Sequence, residues 1–403
     1  MCEGTTLEQV MTLTSTPPGN RLLTGHELTE PESCYPLELM FCKACHHVQL
    51  GHVVDPRILY QKDYLYVTGT SSVFGDHLRT YAADIVARFG LRSGALVADI
   101  GSNDGTCLRF FQRHGLKVIG VDPATEIAKV ATASGIETIG AFFSQAVAAD
   151  LRNRYGPAAL ITSHNACAHI DHLDDVMRGV ADWLCDDGVF VLEVGYFLDV
   201  FSNLFFDTIY HEHLDYHTVA PFSQLFARTG LELLAVQRIN PQGGSIRVIA
   251  QKAGGPHVAD GSAKELVALE TMCGLDQADT LTAFGDRIAK LGERLRALLG
   301  SLKSKGMTIC AYGAPTKAVT LLSHFGIGAD SIDFVVEDNP LKHGRYLPLS
   351  HIPVVATDEL YRRRPDYALI LAWNFAASIM RTHQRYADLG GRFIVPMPEP
   401  RVV

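Results

Sequence analysis

The chain has 403 residues, 47% of them hydrophobic and 20% charged, with Lys and Arg totalling 35 against 44 Asp and Glu for a net charge of −9. At ~150 residues per domain this is a globular chain of two or three domains, neither a single small module nor a disordered polymer. No stretch reaches the ~18 to 20 continuous apolar residues of a membrane span, no secretory pattern opens the chain and no basic block would neutralise a nucleic-acid backbone, so a cytoplasmic protein without membrane or nucleic-acid partners is expected.

Residues 1–60 are short of helical or strand periodicity and carry Pro17, Pro18, Pro31, Pro36 and Pro56. They read as a small loop-rich unit that needs a staple, and Cys42 and Cys45 are the candidate pair. Nine cysteines scattered over so long a chain suit reduced thiols or metal ligands better than a disulfide framework.

From about Tyr81 the pattern changes. A helix over 81–89, a strand over 96–100, a helix around 107–113 and a strand over 117–121 give a βαβ rhythm and hence a parallel sheet. Strands at 159–162 and 189–194 extend it, and 231–239, the turn 240–244 and 245–251 close it with an antiparallel hairpin. Residues 61–255 thus form one domain, and 256–305 a helical linker ending on Lys303, Lys305 and Gly306. Over 306–403 a second βα series follows, with strands at 307–312, 332–336, 367–372 and 393–396 and a helix over 315–324. The expected class is α/β, with a class I, Rossmann-like domain in the middle and a smaller Rossmann-like domain at the end. Oligomeric state is open, since no coiled coil or apolar seam stands out.

The first βα turn, Val97 to Thr106, places Gly101 and Gly105 where a strand hands over to a helix, so that a ligand can lie against the backbone and the helix N-terminus. It lacks G-x-G-x-x-G, and its acidic residues Asp99 and Asp104 repel a pyrophosphate but suit an ammonium group. The next strand ends in Asp122 and Pro123, an acid placed to accept both hydroxyls of a ribose. A ligand with ribose and ammonium but no phosphate is S-adenosylmethionine.

Ile100-Gly-Ser-Asn-Asp-Gly105, which includes Asn103, then His164 to Ile170, Asp207 to His213 and Ala311 to Lys317 resemble the bacterial C-methyltransferases of nucleotide-linked 4-keto deoxysugars. The resemblance runs through nearly the whole chain, and the Tyr210-His-Glu-His213 segment is its most specific part. It implies an N-terminal zinc-binding unit, a methyltransferase domain and a C-terminal Rossmann-like domain that helps hold a nucleotide sugar.

Methylating carbon beside a ketone requires removal of an α-proton, stabilisation of the enolate and alignment of the carbanion with a sulfonium methyl. Imidazole, with a free pKa of ~6.5, suits the proton transfer, so His213 is the expected base, Tyr210 the donor to the enolate and Glu212 a partner for a sugar hydroxyl or amine. Asn165 and His169 lie just past a strand end and by resemblance line the same pocket. Tyr64 and Tyr66 resemble the family's aromatic pair entering the site. Tyr312 and Lys317, at the first turn of the last domain, are expected to bind substrate, where Lys317 either meets a phosphate at a helix N-terminus or is simply solvated. His211 and His213 as a metal pair is the weaker alternative, because no third ligand stands at sensible spacing. A ketone of another natural product is the alternative substrate, as Tyr346-Leu-Pro-Leu349 lacks the glycine that usually follows this proline in the family, and a catalytically silent ligand-binding relative is the alternative function.

The resemblance also brings two C-x-x-C pairs for structural zinc. Cys42 and Cys45 are one of them, and Cys2 falls on the second member of the other. The expected ligands are therefore Cys2, Cys42 and Cys45, with the fourth position open to Cys34, His46, His47 or water.

Overall fold

A computed structural model of the chain describes residues 1–60, 68–70 and 72–403. Three sheets organise them. The central sheet has the order Leu231–Ile239, Ser245–Lys252, Leu184–Gly195, Ala158–His164, Leu96–Ile100, Lys117–Asp122, Thr138–Gly140. Its strands are parallel except Ser245–Lys252, which runs antiparallel to both neighbours and so closes the sheet as a hairpin. Strands such as Leu96–Ile100 are buried at every position, because helices cover both faces.

The last sheet runs Val354–Ala356, Val335–Glu337, Ile309–Tyr312, Tyr367–Ile370, Arg392–Val395, Arg401–Val402, parallel but for the final strand. This is the smaller Rossmann-like unit.

The first unit is more regular than its prolines imply. Leu7–Thr16, Tyr35–Cys42 and Val48–Leu50 form an antiparallel sheet whose fourth strand is Asp215–Tyr216, contributed by a distant part of the chain. Leu7–Thr16 escapes periodicity because its register shifts between Gln9 and Met11 and again between Leu13 and Thr16, so that alternation breaks twice.

The stretch expected as a linker is packed instead. It divides into Ser262–Met272 and Ala278–Ser304, separated at Gly274, whose φ of +73° only glycine adopts easily. Buried Glu270 of the first helix accepts hydrogen bonds from the Tyr196 hydroxyl at 2.9 Å and the Val219 amide at 2.8 Å, docking it on the central domain. The second helix buries Leu281, Phe284, Ile288, Leu291, Leu295, Leu299 and Leu302, a stripe at helical spacing. Gly292 lets it approach Phe325 of the last unit, and Phe284 reaches Phe201 of the central one with ring centroids 5.3 Å apart. Phe284→Ala should therefore cost about 3–5 kcal/mol, measured as a drop in the urea unfolding midpoint with cooperative loss of the whole transition.

Candidate functional site

The strand Leu96–Ile100 runs into Gly101 at φ +74°, then Asn103 at +49° and Gly105 at +76°, before the helix Thr106–Arg113. A Cβ on Gly101 would collide with the Ala166 methyl, and one on Gly105 would lie 2.8 Å from Ile136, so packing and φ both demand glycine. Asp122 pins this turn: one carboxylate oxygen accepts the Asn103 amide and the other the Ala124 amide, each at 2.8 Å. Each oxygen keeps a further lone pair. Burial raises the Asp122 carboxyl above its usual range, and Pro123 follows it at the strand end. Asp104, the residue before the N-cap Gly105, accepts the Thr106 amide at 3.2 Å and hydroxyl at 2.7 Å, and it also accepts the Gly69 amide at 3.1 Å. The Asn103 side-chain oxygen accepts the Thr68 amide at 2.8 Å.

Beneath the turn Asp99 is 3% exposed, and its Oδ1 has no hydrogen-bond partner. The ring of His164 stands 4.0 Å away, also with both nitrogens unpartnered. Burial, reinforced by Asp122, holds Asp99 well above the carboxylate range, and burial pushes His164 down to about 4. Sequence reasoning missed the layer behind them. Glu193 accepts from His77 at 2.6 Å and from Arg247 at 2.7 Å, and against its burial the His77 hydrogen bond and the Arg247 charge hold it at about 2. The one signal was a lone charge inside the apolar strand Val189 to Val194. A buried carboxyl with an open acceptor, a glycine turn and a helix N-terminus together fit the ammonium and ribose of S-adenosylmethionine.

A second cluster lies in the segment 205–216. His213 Nδ1 donates to the Thr208 carbonyl at 2.8 Å, which leaves Nε2 as the bare nitrogen of the neutral ring. The Tyr210 hydroxyl donates to that Nε2 at 2.7 Å. Burial pushes His213 down to about 4, so the imidazole stays neutral. The ring of His169 is 5.0 Å from that of His213 and stacks at 5.9 Å on Tyr60. Its Nε2 is buried without a partner, and burial together with His213 keeps it well below the usual histidine value. Asn165, at φ +62°, opens the short turn Ala166–His169 and donates its amide to the Glu193 carbonyl at 2.7 Å.

Glu212 is 4% exposed, and burial raises it to about 7. Its two oxygens accept from the Asn20 amide nitrogen at 3.0 and 3.2 Å, and its carbonyl accepts the Tyr60 hydroxyl at 3.3 Å. Neither Asn20 nor Tyr60 carried a sequence signal. His211 turns the other way, onto the Tyr35 carbonyl at 3.2 Å, so His211 and His213 do not face a common ion.

The last unit places its expected residues differently. Lys317 is buried, its ammonium 3.4 Å above the Trp373 ring and donating to Asn374 Oδ1 at 2.7 Å. Burial pulls it down to about 8 against the opposing pull of Asp207. The turn before it is covered, since a Cβ on Gly19 would lie 2.5 Å from the Thr316 carbonyl oxygen. Lys317 is thus neither solvated nor presented at an open helix N-terminus. The Tyr312 hydroxyl donates to Asp338 at 3.0 Å and lies 2.7 Å from His383 Nε2. Tyr64 and Tyr66 lie outside the described residues.

In the first unit the sulfurs of Cys2, Cys42 and Cys45 lie within 4.8 Å of one another. Cys34 is directed instead at the Glu32 carbonyl, and His47 Nε2 is 2.6 Å from Asp215. Three converging thiols on a C-x-x-C turn fit a tetrahedral zinc ion.

Three family models match consecutive stretches of the chain: "Putative zinc binding domain" over residues 1–60, "Methyltransferase domain" over 74–236 and "C-methyltransferase C-terminal domain" over 240–398. The C-methyltransferase NovU of Streptomyces niveus is 36% identical over 394 residues, which is 98% of this chain and 94% of NovU. Among solved structures, magnesium protoporphyrin IX methyltransferase of Synechocystis with bound SAM is 14% identical, with a TM-score of 0.34 over 44% of this chain and 79% of that one. The YcgJ protein of Bacillus subtilis is 16% identical, with a TM-score of 0.34 over 43% of this chain and 98% of that one. Among the described residues no helix is long and apolar enough to cross a membrane.

Gly101→Ala should weaken binding of S-adenosylhomocysteine roughly tenfold or more, because the methyl collides and the positive φ is strained. Titration calorimetry on the folded variant checks this.

Proposed function

The chain belongs to the C-methyltransferase family, whose three parts it carries in order, and from that premise we propose that it methylates the carbon beside the ketone of a nucleotide-linked 4-keto-6-deoxysugar. It is an S-adenosylmethionine-dependent C-methyltransferase. The observation that carries the finer reading is the chain from Thr208 through His213 to Tyr210.

The Thr208 carbonyl fixes the proton on Nδ1, and burial keeps the ring uncharged, so Nε2 is a base ready at neutral pH. In the resting site that lone pair is engaged by the Tyr210 hydroxyl. A ketone oxygen entering the site competes for the same hydroxyl. Tyr210 then donates to the oxygen that becomes the enolate, and Nε2 is released to take the α-proton. The C–H electron pair moves into the enolate, and the proton rests on His213, where the Thr208 carbonyl stabilises the imidazolium. The bound cofactor supplies the electrophilic methyl group. Glu212, oriented by Asn20, accepts from the hydroxyl or amine next to the reacting carbon, and His169 and Asn165 line the wall beside it. Tyr312 ends the strand Ile309–Tyr312 of the last unit, beyond whose carboxyl end the nucleotide would lie. Lys317 has no part in phosphate binding in this reading. Zinc on Cys2, Cys42 and Cys45 would be structural, fastening the sheet against which the segment 211–216 is laid.

His213→Asn should lower turnover of dTDP-4-keto-6-deoxyglucose at least about a hundredfold while leaving S-adenosylhomocysteine binding unchanged. In the wild type the acid limb of kcat should fall well below the ~6.5 of free imidazole, toward about 4. Retained turnover in the variant overturns the assignment. Metal analysis should find close to one zinc per chain, lost in Cys42→Ser, and a value well under one excludes the zinc site.

A further inference from the structure

We propose that Trp373, Lys317 and Thr320 of the last unit are positioning residues for His213, acting through residues 205–209 and not by touching the substrate. The inference rests on the reading of His213 as the base.

The indole of Trp373 is wedged in place. Phe205 stacks on it at 3.8 Å, Gly243, at φ +94°, leaves it room where a Cβ would come within 2.8 Å, and the Lys317 ammonium sits 3.4 Å from its centroid. From this fixed position Nε1 donates to Asp207 Oδ2 at 2.7 Å. Asp207 is fully buried, and its other oxygen has no hydrogen-bond partner. A buried carboxylate of this kind persists only where a neighbour supplies a hydrogen bond and a compensating charge. Trp373 supplies the first and Lys317 the second: burial raises Asp207 to about 6, and Lys317 followed by Trp373 opposes the rise.

Two residues along, the Thr320 hydroxyl donates to the Ile209 carbonyl at 3.2 Å. Thr208 therefore lies between two points at which the last unit grips the chain. Its carbonyl is the group that accepts His213 Nδ1–H, so the clamp determines the direction of the ring and which nitrogen bears the proton. Were the clamp loosened, the carbonyl could swing and the proton could move to Nε2, the nitrogen that must be bare.

The test uses the full-length protein with S-adenosylmethionine and dTDP-4-keto-6-deoxyglucose as the probe. Trp373→Phe keeps the ring and removes the donor, Lys317→Met removes the charge, and Thr320→Val removes the hydroxyl at nearly constant volume. Each is expected to lower kcat about tenfold to a hundredfold, the range associated with a displaced catalytic group, with KM and the affinity for S-adenosylhomocysteine unchanged. Long-range proton–nitrogen NMR of His213 should show the Nδ1–H form in the wild type and a mixture of both tautomers in the variants. Asp207→Asn, which keeps an acceptor for Trp373 without the buried charge, should rescue turnover when combined with Lys317→Met. Unchanged kcat and an unchanged tautomer in the folded variants would overturn the proposal. So would a loss of kcat with the tautomer intact, which would mark the contacts as packing alone. Should Trp373→Phe not fold, Thr320→Val and Lys317→Met decide the matter by the same readouts. If His213→Asn keeps its activity, the reading of the base fails. If it is inactive while these variants are normal, only this inference fails.

Discussion

Everything at the proposed reacting centre depends on one short stretch of backbone being held from three sides. Residues 205–216 carry two tyrosines, a glutamate and two histidines, yet among the described residues the stretch has almost no regular structure of its own beyond a single 3-10 turn and a two-residue strand. Its shape comes from elsewhere. The first unit pairs with Asp215–Tyr216 and donates the Leu50 amide to the Leu214 carbonyl at 2.8 Å. The central domain accepts the Leu214 amide on the Ala168 carbonyl at 2.7 Å, and the last unit grips Asp207 and Ile209. Fixing a loop costs roughly 1–2 kcal/mol per residue in backbone entropy. Here the neighbouring sheets and helices supply that cost, so the side chains need not be rearranged when a substrate arrives.

Burial then sets the chemistry. Desolvation by burial keeps His213, His164 and His169 neutral, and it raises Glu212 to about 7. Glu193 shows the opposite outcome at equal depth, because the His77 hydrogen bond and the Arg247 guanidinium hold it charged. Desolvation and pairing compete at every buried acid: Asp122 and Glu270 each accept two neutral hydrogen bonds and are still raised, whereas the guanidinium of Arg247 helps tip the balance at Glu193.

Much of this was legible in the amino-acid sequence, unevenly and for identifiable reasons. The strands Leu96–Ile100 and Leu231–Ile239 and the closing hairpin follow directly from local patterning. The glycine turn and Asp122 do too, since strand, turn and acid lie within about one βαβ unit of each other. Leu7–Thr16 was hidden by its two register shifts, and the stripe on Ala278–Ser304 gave no sign of what would cover it. The site was harder to read wherever partners are remote along the chain. Asn20 meets Glu212 across 192 residues and Trp373 meets Asp207 across 166, and no local spacing encodes such meetings. Lys317 shows the converse error: a lysine after a βα turn suggests a phosphate ligand, but the fold closes Gly19 over the turn and leaves the ammonium an aromatic face.

The strand Asp215–Tyr216 has a consequence for evolution and engineering alike. Because the edge of the N-terminal sheet is completed from the methyltransferase domain, the three units are not interchangeable parts at their sequence borders. A chimera joined near residue 60 would set a foreign sheet edge against native residues 211–216, misaligning Val48 with Tyr216 and Tyr35 with His211. Recombination between relatives should therefore succeed only where both halves of that seam are inherited together.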